Sequence, residues 1–286
     1  MAQSPLGAVR TAIVSAVDRT MPALGLAYRR WRDRRWLAQV RQLEQGFRLC
    51  GPPVFSDWEP EERAVFERYL ASADVCIDVG ANIGLYTCLA RSRGKHVVAI
   101  EPLPRNLMFL NRNIALNGFN DIEIFPVGVG AHPSVAPIYG FSDIASFVPG
   151  WSRGAAVHSE RVELSTMDIL IGDRFAGQRL LIKIDVEGFE LDVLRGAARL
   201  LARTPKPVWM IEVLLDNPLA GTINPSFEET FRLLFENGYR AFHADRSFAA
   251  VNQDDVARWL KAGTLGTATN NFIFYDEQVA SAGATR

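Results

Sequence analysis

Ile77 to Tyr86 reads I-D-V-G-A-N-I-G-L-Y, and this stretch decides the fold. The apolar run Val75-Cys76-Ile77 ends in Asp78. Gly80 and Gly84 follow, and a helix-like stretch continues through Leu89. A strand, a tight glycine turn and a helix start bring backbone N–H groups and a carboxylate to one sheet edge. A dinucleotide fingerprint requires G-x-G-x-x-G. Here the spacing is D-x-G-x-x-x-G, and Asp78 sits where a pyrophosphate would approach and be repelled.

A cationic amino-acid tail would be drawn to the same place, and S-adenosylmethionine carries one. The next apolar run, His96 to Ile100, ends in Glu101, about 20 residues past the glycine loop, where a carboxylate can accept ribose hydroxyls. Capping of the following helix is the structural alternative for Asp78. Glu101 repeats the pattern at the next strand end, which favours the ligand reading.

Outward from this motif, strands are expected at 74–79, 96–101, 122–127, 180–185 and 207–213. Helices are expected at 84–93, 104–117, 188–202 and 226–237. Glu59 to Leu70 reads as an amphipathic helix leading in. The alternation predicts an α/β, doubly wound and mostly parallel sheet. Right-handed crossovers then place Asp78, Glu101, Asp185 and Glu212 on one rim. Between 128 and 166 no long helix is expected. Val135 to Phe141 and Arg161 to Leu164 look like an extra strand pair around a loop, 142–159, that holds Phe147, Trp151, Arg153 and His158. Tyr239 to Ala244 and Asn271 to Tyr275 read as closing strands.

The chain has 286 residues, 48% hydrophobic and 22% charged, enough for one generous domain with an appendage. The net charge of −1 gives no reason to expect nucleic acid. It is unevenly spread. Residues 1–50 hold nine arginines (10, 19, 29, 30, 32, 34, 35, 41, 48) against Asp18, Asp33 and Glu44, a net +6 that leaves −7 elsewhere. Residues 6–48 read as helices, with Leu6, Val9, Ile13 and Val17, then Leu24, Tyr28 and Trp31, then Val40, Leu43 and Phe47 at helical spacing. The arginines around Trp31 and Trp36 suit a solvated basic face on a helix packed against the core, or a surface touching anionic lipid or a charged substrate. The expected organisation is an N-terminal helical extension (1–54), a main domain (55–279) and a frayed tail (280–286). Cys50, Cys76 and Cys88 make no disulfide framework. No signal peptide or membrane span is legible, so a cytoplasmic location is the default.

Leu180 to Glu190, L-L-I-K-I-D-V-E-G-F-E, is a second motif: an apolar strand with Lys183 inside it and Asp185, Glu187 and Glu190 at its end. A helix N-terminus accounts for Glu190. Asp185 belongs to the strand end and calls for another explanation.

At this point the chain resembles the FkbM-type S-adenosylmethionine-dependent methyltransferases. The resemblance rests on Ile77 to Thr87, Ile100 to Pro102, Ile182 to Glu190, Val193 to Ala197 and Ile211-Glu212, within roughly residues 55–275. It implies the class I methyltransferase sheet, Rossmann-like, with seven strands and the last antiparallel. It implies methylation of a sugar or secondary-metabolite hydroxyl, with a sugar, glycolipid or polyketide-type acceptor. Carried over by motif, Gly80, Ala81 and Asn82 would approach the methionine part of the cofactor and Asp78 its amino group. Thr87 would help with the carboxylate, and Glu101, followed by Pro102, would hold the ribose. Where relatives have a small polar residue and Ala near the adenine, this chain has Val127-Gly128-Val129-Gly130, leaving backbone groups such as Gly128 to read the base. Where relatives often have a His after Glu212, it has Val213.

Methyl transfer to an alcohol needs a base. Asp185 is the first candidate, as base or substrate anchor, with Glu187, Glu212, His158 and His243 behind it. Two carboxylates, Asp185 and Glu212, without a third ligand motif do not predict a metal. The competing reading is a non-catalytic S-adenosylmethionine- or nucleotide-binding module, docked to a membrane or partner through the basic N-terminal helices.

Overall fold

The computed structural model describes residues 21–53, 60–140, 144–151, 159–217, 221–267 and 269–276. The expected helix over 6–17, and Arg153 and His158, lie outside them. Five parallel strands form one side of the main sheet, out to its edge: β3 (Val75–Val79), β4 (His96–Ile100), β5 (Ile122–Phe125), β9 (Leu180–Ile184) and β10 (Val208–Glu212). The sheet closes with β13 (Asn271–Tyr275), antiparallel to both β10 and β11 (Arg240–His243). The full order is β12-β11-β13-β10-β9-β3-β4-β5, where β12 is Ala250–Val251. The seven strands expected are therefore present, and β12 adds an eighth at the edge.

The central strands read as near-continuous apolar runs because both faces are covered. Ile77, Val79, Val98, Ile182, Ile184, Trp209 and Ile211 face one core. Cys76, Val97, Leu181 and Met210 face the other. The two-residue side-chain period sends Asp78 and Lys183, paired in register, to the second face.

Helices α2 (Pro60–Ser72), α3 (Leu85–Ser92), α4 (Pro104–Leu116) and α8 (Phe227–Glu236) match their expected places. The helix expected over 188–202 is broken into α6 (Glu190–Arg195) and α7 (Ala198–Ala202). The cause is packing at Gly196, where a Cβ would come 2.2 Å from the Gly130 carbonyl oxygen. A second sheet, β6-β8-β7, is built from Gly128–Val129, Ser159–Ser165 and Ser134–Tyr139. The short α5 (Met167–Leu170) follows it. Helix α9 (Gln253–Ala262) was not expected, although Asn252 and Asp255 form a capping box at its start.

The N-terminal reading is corrected in part. Helix α1 spans Pro22–Ala38, but Val40 to Phe47 is not helical. It contributes to a hairpin of β1 (Val40–Gln42) and β2 (Arg48–Cys50), turned through Gly46 at φ +93°. Asn113 on α4 and Asn117 at its C-cap, one turn apart, pair with its backbone. The Asn113 side chain accepts from Cys50 N at 2.7 Å and donates to Cys50 O at 3.0 Å. The Asn117 side chain does the same with Arg48, at 2.7 Å each way. These amides satisfy a free strand edge, and Leu43, Phe47, Leu49 and Cys50 enter the second core cluster.

Candidate functional site

A cleft with an enclosed volume of about 110 Å³, open at its mouth, lies at the C-terminal ends of β3, β4, β9 and β10. Its floor is the glycine loop. Gly80 takes φ +81°, and a Cβ there would stand 1.9 Å from the Asp185 carbonyl oxygen, so only glycine fits. Gly80 N and Ala81 N donate to Ile100 O at 3.0 and 3.1 Å, tying the loop to the neighbouring strand.

Glu101 is buried on the cleft wall. Its Oε2 accepts from Asn82 N at 2.8 Å, and its Oε1 accepts from Leu103 N at 2.9 Å and Asn106 Nδ2 at 3.2 Å. Burial pushes its pKa up to about 7, against the pull of these hydrogen bonds. Asn106 is buried and lines the cleft, and sequence reasoning missed it. Its only sequence signal is a position in the first turn of the helix after Glu101.

The opposite wall is apolar, with Val127, Val129, Ile138 and Phe147. Gly128 is part of it, and a Cβ there would meet Phe147 and Leu164 at 2.6 Å. The loop aromatics divide: Phe147 lines the cleft, while Trp151 is buried against Gly188 as a hydrophobic pin.

Three carboxyl groups stand at the mouth. Asp185, Glu187 and Glu212 each offer an oxygen within 4.8 Å of the others. Glu187 is the third acid that two-carboxylate reasoning lacked. It takes φ +55°, accepts from Trp151 Nε1 at 3.3 Å, and its carbonyl accepts from Ser146 Oγ at 2.6 Å. Lys183, fully buried, reaches Asp185 Oδ2 at 3.0 Å and lies 4.6 Å from the Tyr86 ring centre. Burial acts to raise the Asp185 pKa. The Lys183 ammonium and a hydrogen bond with Glu212 outweigh it and hold the carboxyl below its ordinary range. Glu190 instead serves the loop, accepting from Gly188 N at 3.0 Å.

Of the residues singled out in the sequence, Gly80, Asn82, Glu101, Pro102, Gly128, Asp185 and Glu212 line the cleft. Asp78, Ala81 and Thr87 are buried and do not line it. Thr87 Oγ1 donates to Asp78 Oδ2 at 2.6 Å, and burial raises the Asp78 pKa. His243 is not brought to the cleft. Its ring packs 5.4 Å from Trp259 and 5.1 Å from Phe272, and burial lowers its pKa. β11 ends on the right rim, but two strands away from Glu212.

The chain is similar to known proteins in sequence. Methyltransferase sdnD of Sordaria araneosa is 27% identical over an alignment covering 44% of this chain and 61% of that protein. Hexuronic acid methyltransferase AglP of Haloferax volcanii is 30% identical, covering 45% of this chain and 52% of that protein. The chain thus spans a little over half the length of these curated relatives. A solved SAM-dependent methyltransferase from Agrobacterium tumefaciens aligns with TM-score 0.42 and 11% identity, covering 83% of this chain and 69% of that one. The family profile described as the methyltransferase FkbM domain matches residues 78–241, from the acid of the glycine motif to the closing strand. On that match, more than half of its length, the chain belongs to the FkbM methyltransferase family.

Proposed function

We propose that this protein transfers a methyl group from S-adenosylmethionine to a hydroxyl of a small polyhydroxylated molecule. The observation that carries the reading is Glu101, a buried carboxyl set on the cleft wall by two backbone N–H groups and Asn106. A ribose diol is a suitable pair of donors for it. Asp185 packs against Gly80, and Phe147 and Leu164 pack against Gly128, which holds the two walls of the cleft in place. The apolar face at Val127, Val129 and Phe147 suits an adenine ring.

The cofactor would supply an electrophilic methyl carbon and a neutral leaving group. The protein's part is then largely positioning, which can contribute about 7–11 kcal/mol when reacting atoms are well aligned. Asp185, kept ionised by Lys183 and Glu212, accepts a hydrogen bond from the acceptor hydroxyl and takes its proton as the C–O bond forms. Glu187 and Glu212 accept from neighbouring hydroxyls. Three carboxyl groups at the mouth disfavour an anionic acceptor and favour a neutral polyol. The name of the Haloferax volcanii relative, a hexuronic acid methyltransferase, supports a sugar ring as acceptor, with the acidic mouth here selecting a neutral ring over a uronic acid.

The test is calorimetric titration with S-adenosylmethionine, with NAD as control, on wild type and Glu101→Ala. Micromolar binding of the first alone, weakened in the variant, is expected. Folded protein that binds neither would overturn the reading. Labelled methyl transfer to a panel of neutral glycosides then separates an enzyme from a cofactor-binding module.

A further inference from the structure

Helix α1 carries its charge along its axis rather than around it. Met21 to Tyr28 contains no charged residue, and Arg29, Arg30, Arg32, Arg34 and Arg35 crowd the turns that follow. The acid among them, Asp33, is buried and accepts from Arg105 Nε and Nη2 at 2.8 and 2.9 Å. Arg105 also donates to Asn106 at 3.2 Å, so the basic turns are pinned beside the cleft. Trp36 and Leu37 pack on the second core cluster.

Before that anchor the helix presents apolar groups to water. Leu24 is 59% exposed and Trp31 52%, and Met21, Leu26 and Tyr28 are exposed with them. Tyr28 and Trp31 lie 5.9 Å apart at the junction with the basic turns, and the Arg35 guanidinium sits 4.8 Å from the Trp31 ring centre. A lipid interface accommodates all three kinds of group, with aliphatic side chains toward hydrocarbon, rings at headgroup level and guanidinium groups against phosphates. The charge distribution points the same way, with +6 in residues 1–50 and −7 elsewhere, so an anionic surface would attract this segment more than the rest of the chain. Among the described residues no helix is long and apolar enough to cross a membrane.

We propose that α1 docks the protein on an anionic phospholipid surface, with Leu24, Leu26, Tyr28 and Trp31 at the interface and Arg30, Arg34 and Arg35 on the phosphates. The docking does not depend on the methyltransferase reading, and it sets the rim of the cleft beside the lipid.

The experiment is sedimentation of the full chain with vesicles of phosphatidylcholine, with and without phosphatidylglycerol. Binding only to the anionic vesicles, weakening as salt rises, is expected. Arg30→Gln with Arg34→Gln should lower the affinity about 30-fold, from the usual contribution of a basic residue near an anionic surface. Leu24→Ser with Leu26→Ser should abolish binding and leave the circular dichroism melt unchanged, since both residues are exposed. Absence of binding to anionic vesicles, or equal binding by wild type and both variants, overturns the proposal. So does a concentration-dependent dimer that Leu24→Ser with Leu26→Ser dissolves, because the apolar end is then a contact between copies.

Discussion

The carbonyl oxygen of Asp185 stands 1.9 Å from the point where a Cβ on Gly80 would lie, so the glycine loop and the acidic rim touch backbone to backbone. An alanine at 80 would force both strand ends apart and occupy a left-handed conformation at φ +81°. Gly80→Ala should cost about 3 kcal/mol or more. Chemical denaturation measures this directly, and an unchanged midpoint would show that the two ends separate freely.

Glu101 titrates near pH 7 when folded, above its ordinary 4.5, because it is buried. The folded state therefore binds more protons than the unfolded chain between those values. Its contribution to stability is full below pH 4.5 and declines as pH rises toward 7. Glu101→Gln should flatten that decline. Affinity for S-adenosylmethionine runs the other way, rising as the carboxylate forms, and the same variant should lose that pH dependence. Titration calorimetry between pH 6 and 8 decides it; a pH-independent wild type would contradict the assignment.

Lys183 and Asp185 give the third prediction. Lowering of the Asp185 pKa means its stabilising charge is present above the ordinary 3.8 and is lost as pH falls through the folded value. Replacing Lys183 by Met leaves burial less opposed, so the carboxyl pKa rises. The acidic limb of the kcat/KM profile should then shift to higher pH. Asp185→Asn should lower kcat about 10²–10⁴-fold with a smaller change in KM. An unshifted profile in Lys183→Met, with the variant folded, would sever the lysine from catalysis.

His243 sits among Trp259 and Phe272, and burial lowers its pKa from 6.5. The unfolded chain takes up the proton more readily, so stability declines as pH falls below 6.5 toward the folded value. His243→Phe should reduce this acid sensitivity and leave kcat within about twofold, since an aromatic ring preserves the packing. A large loss of kcat would return the residue to the reaction.

Much of the fold was legible because its signals are local. Apolar runs of strand length end in Asp78, Glu101, Asp185 and Glu212, and Gly80 announces a backbone that L side chains resist. The misreadings share a cause. Val40, Leu43 and Phe47 have helical spacing, yet Asn113 and Asn117 supply a strand-like partner more than 60 residues away. The helix over 188–202 breaks because Gly130 passes against Gly196.

The sequence by itself determined the strand–loop–helix order, the acids at the strand ends and the glycine that forms the tight turn after Asp78. Each follows from a residue and its immediate neighbours. Only the tertiary structure decided which of those acids meet. β9 lies between β3 and β10, so Asp185, Glu187 and Glu212 converge, while β13 is inserted before β11 and holds His243 apart. Strand neighbourhood depends on how distant segments bury their faces together, and that is a property of the packed core rather than of any local pattern.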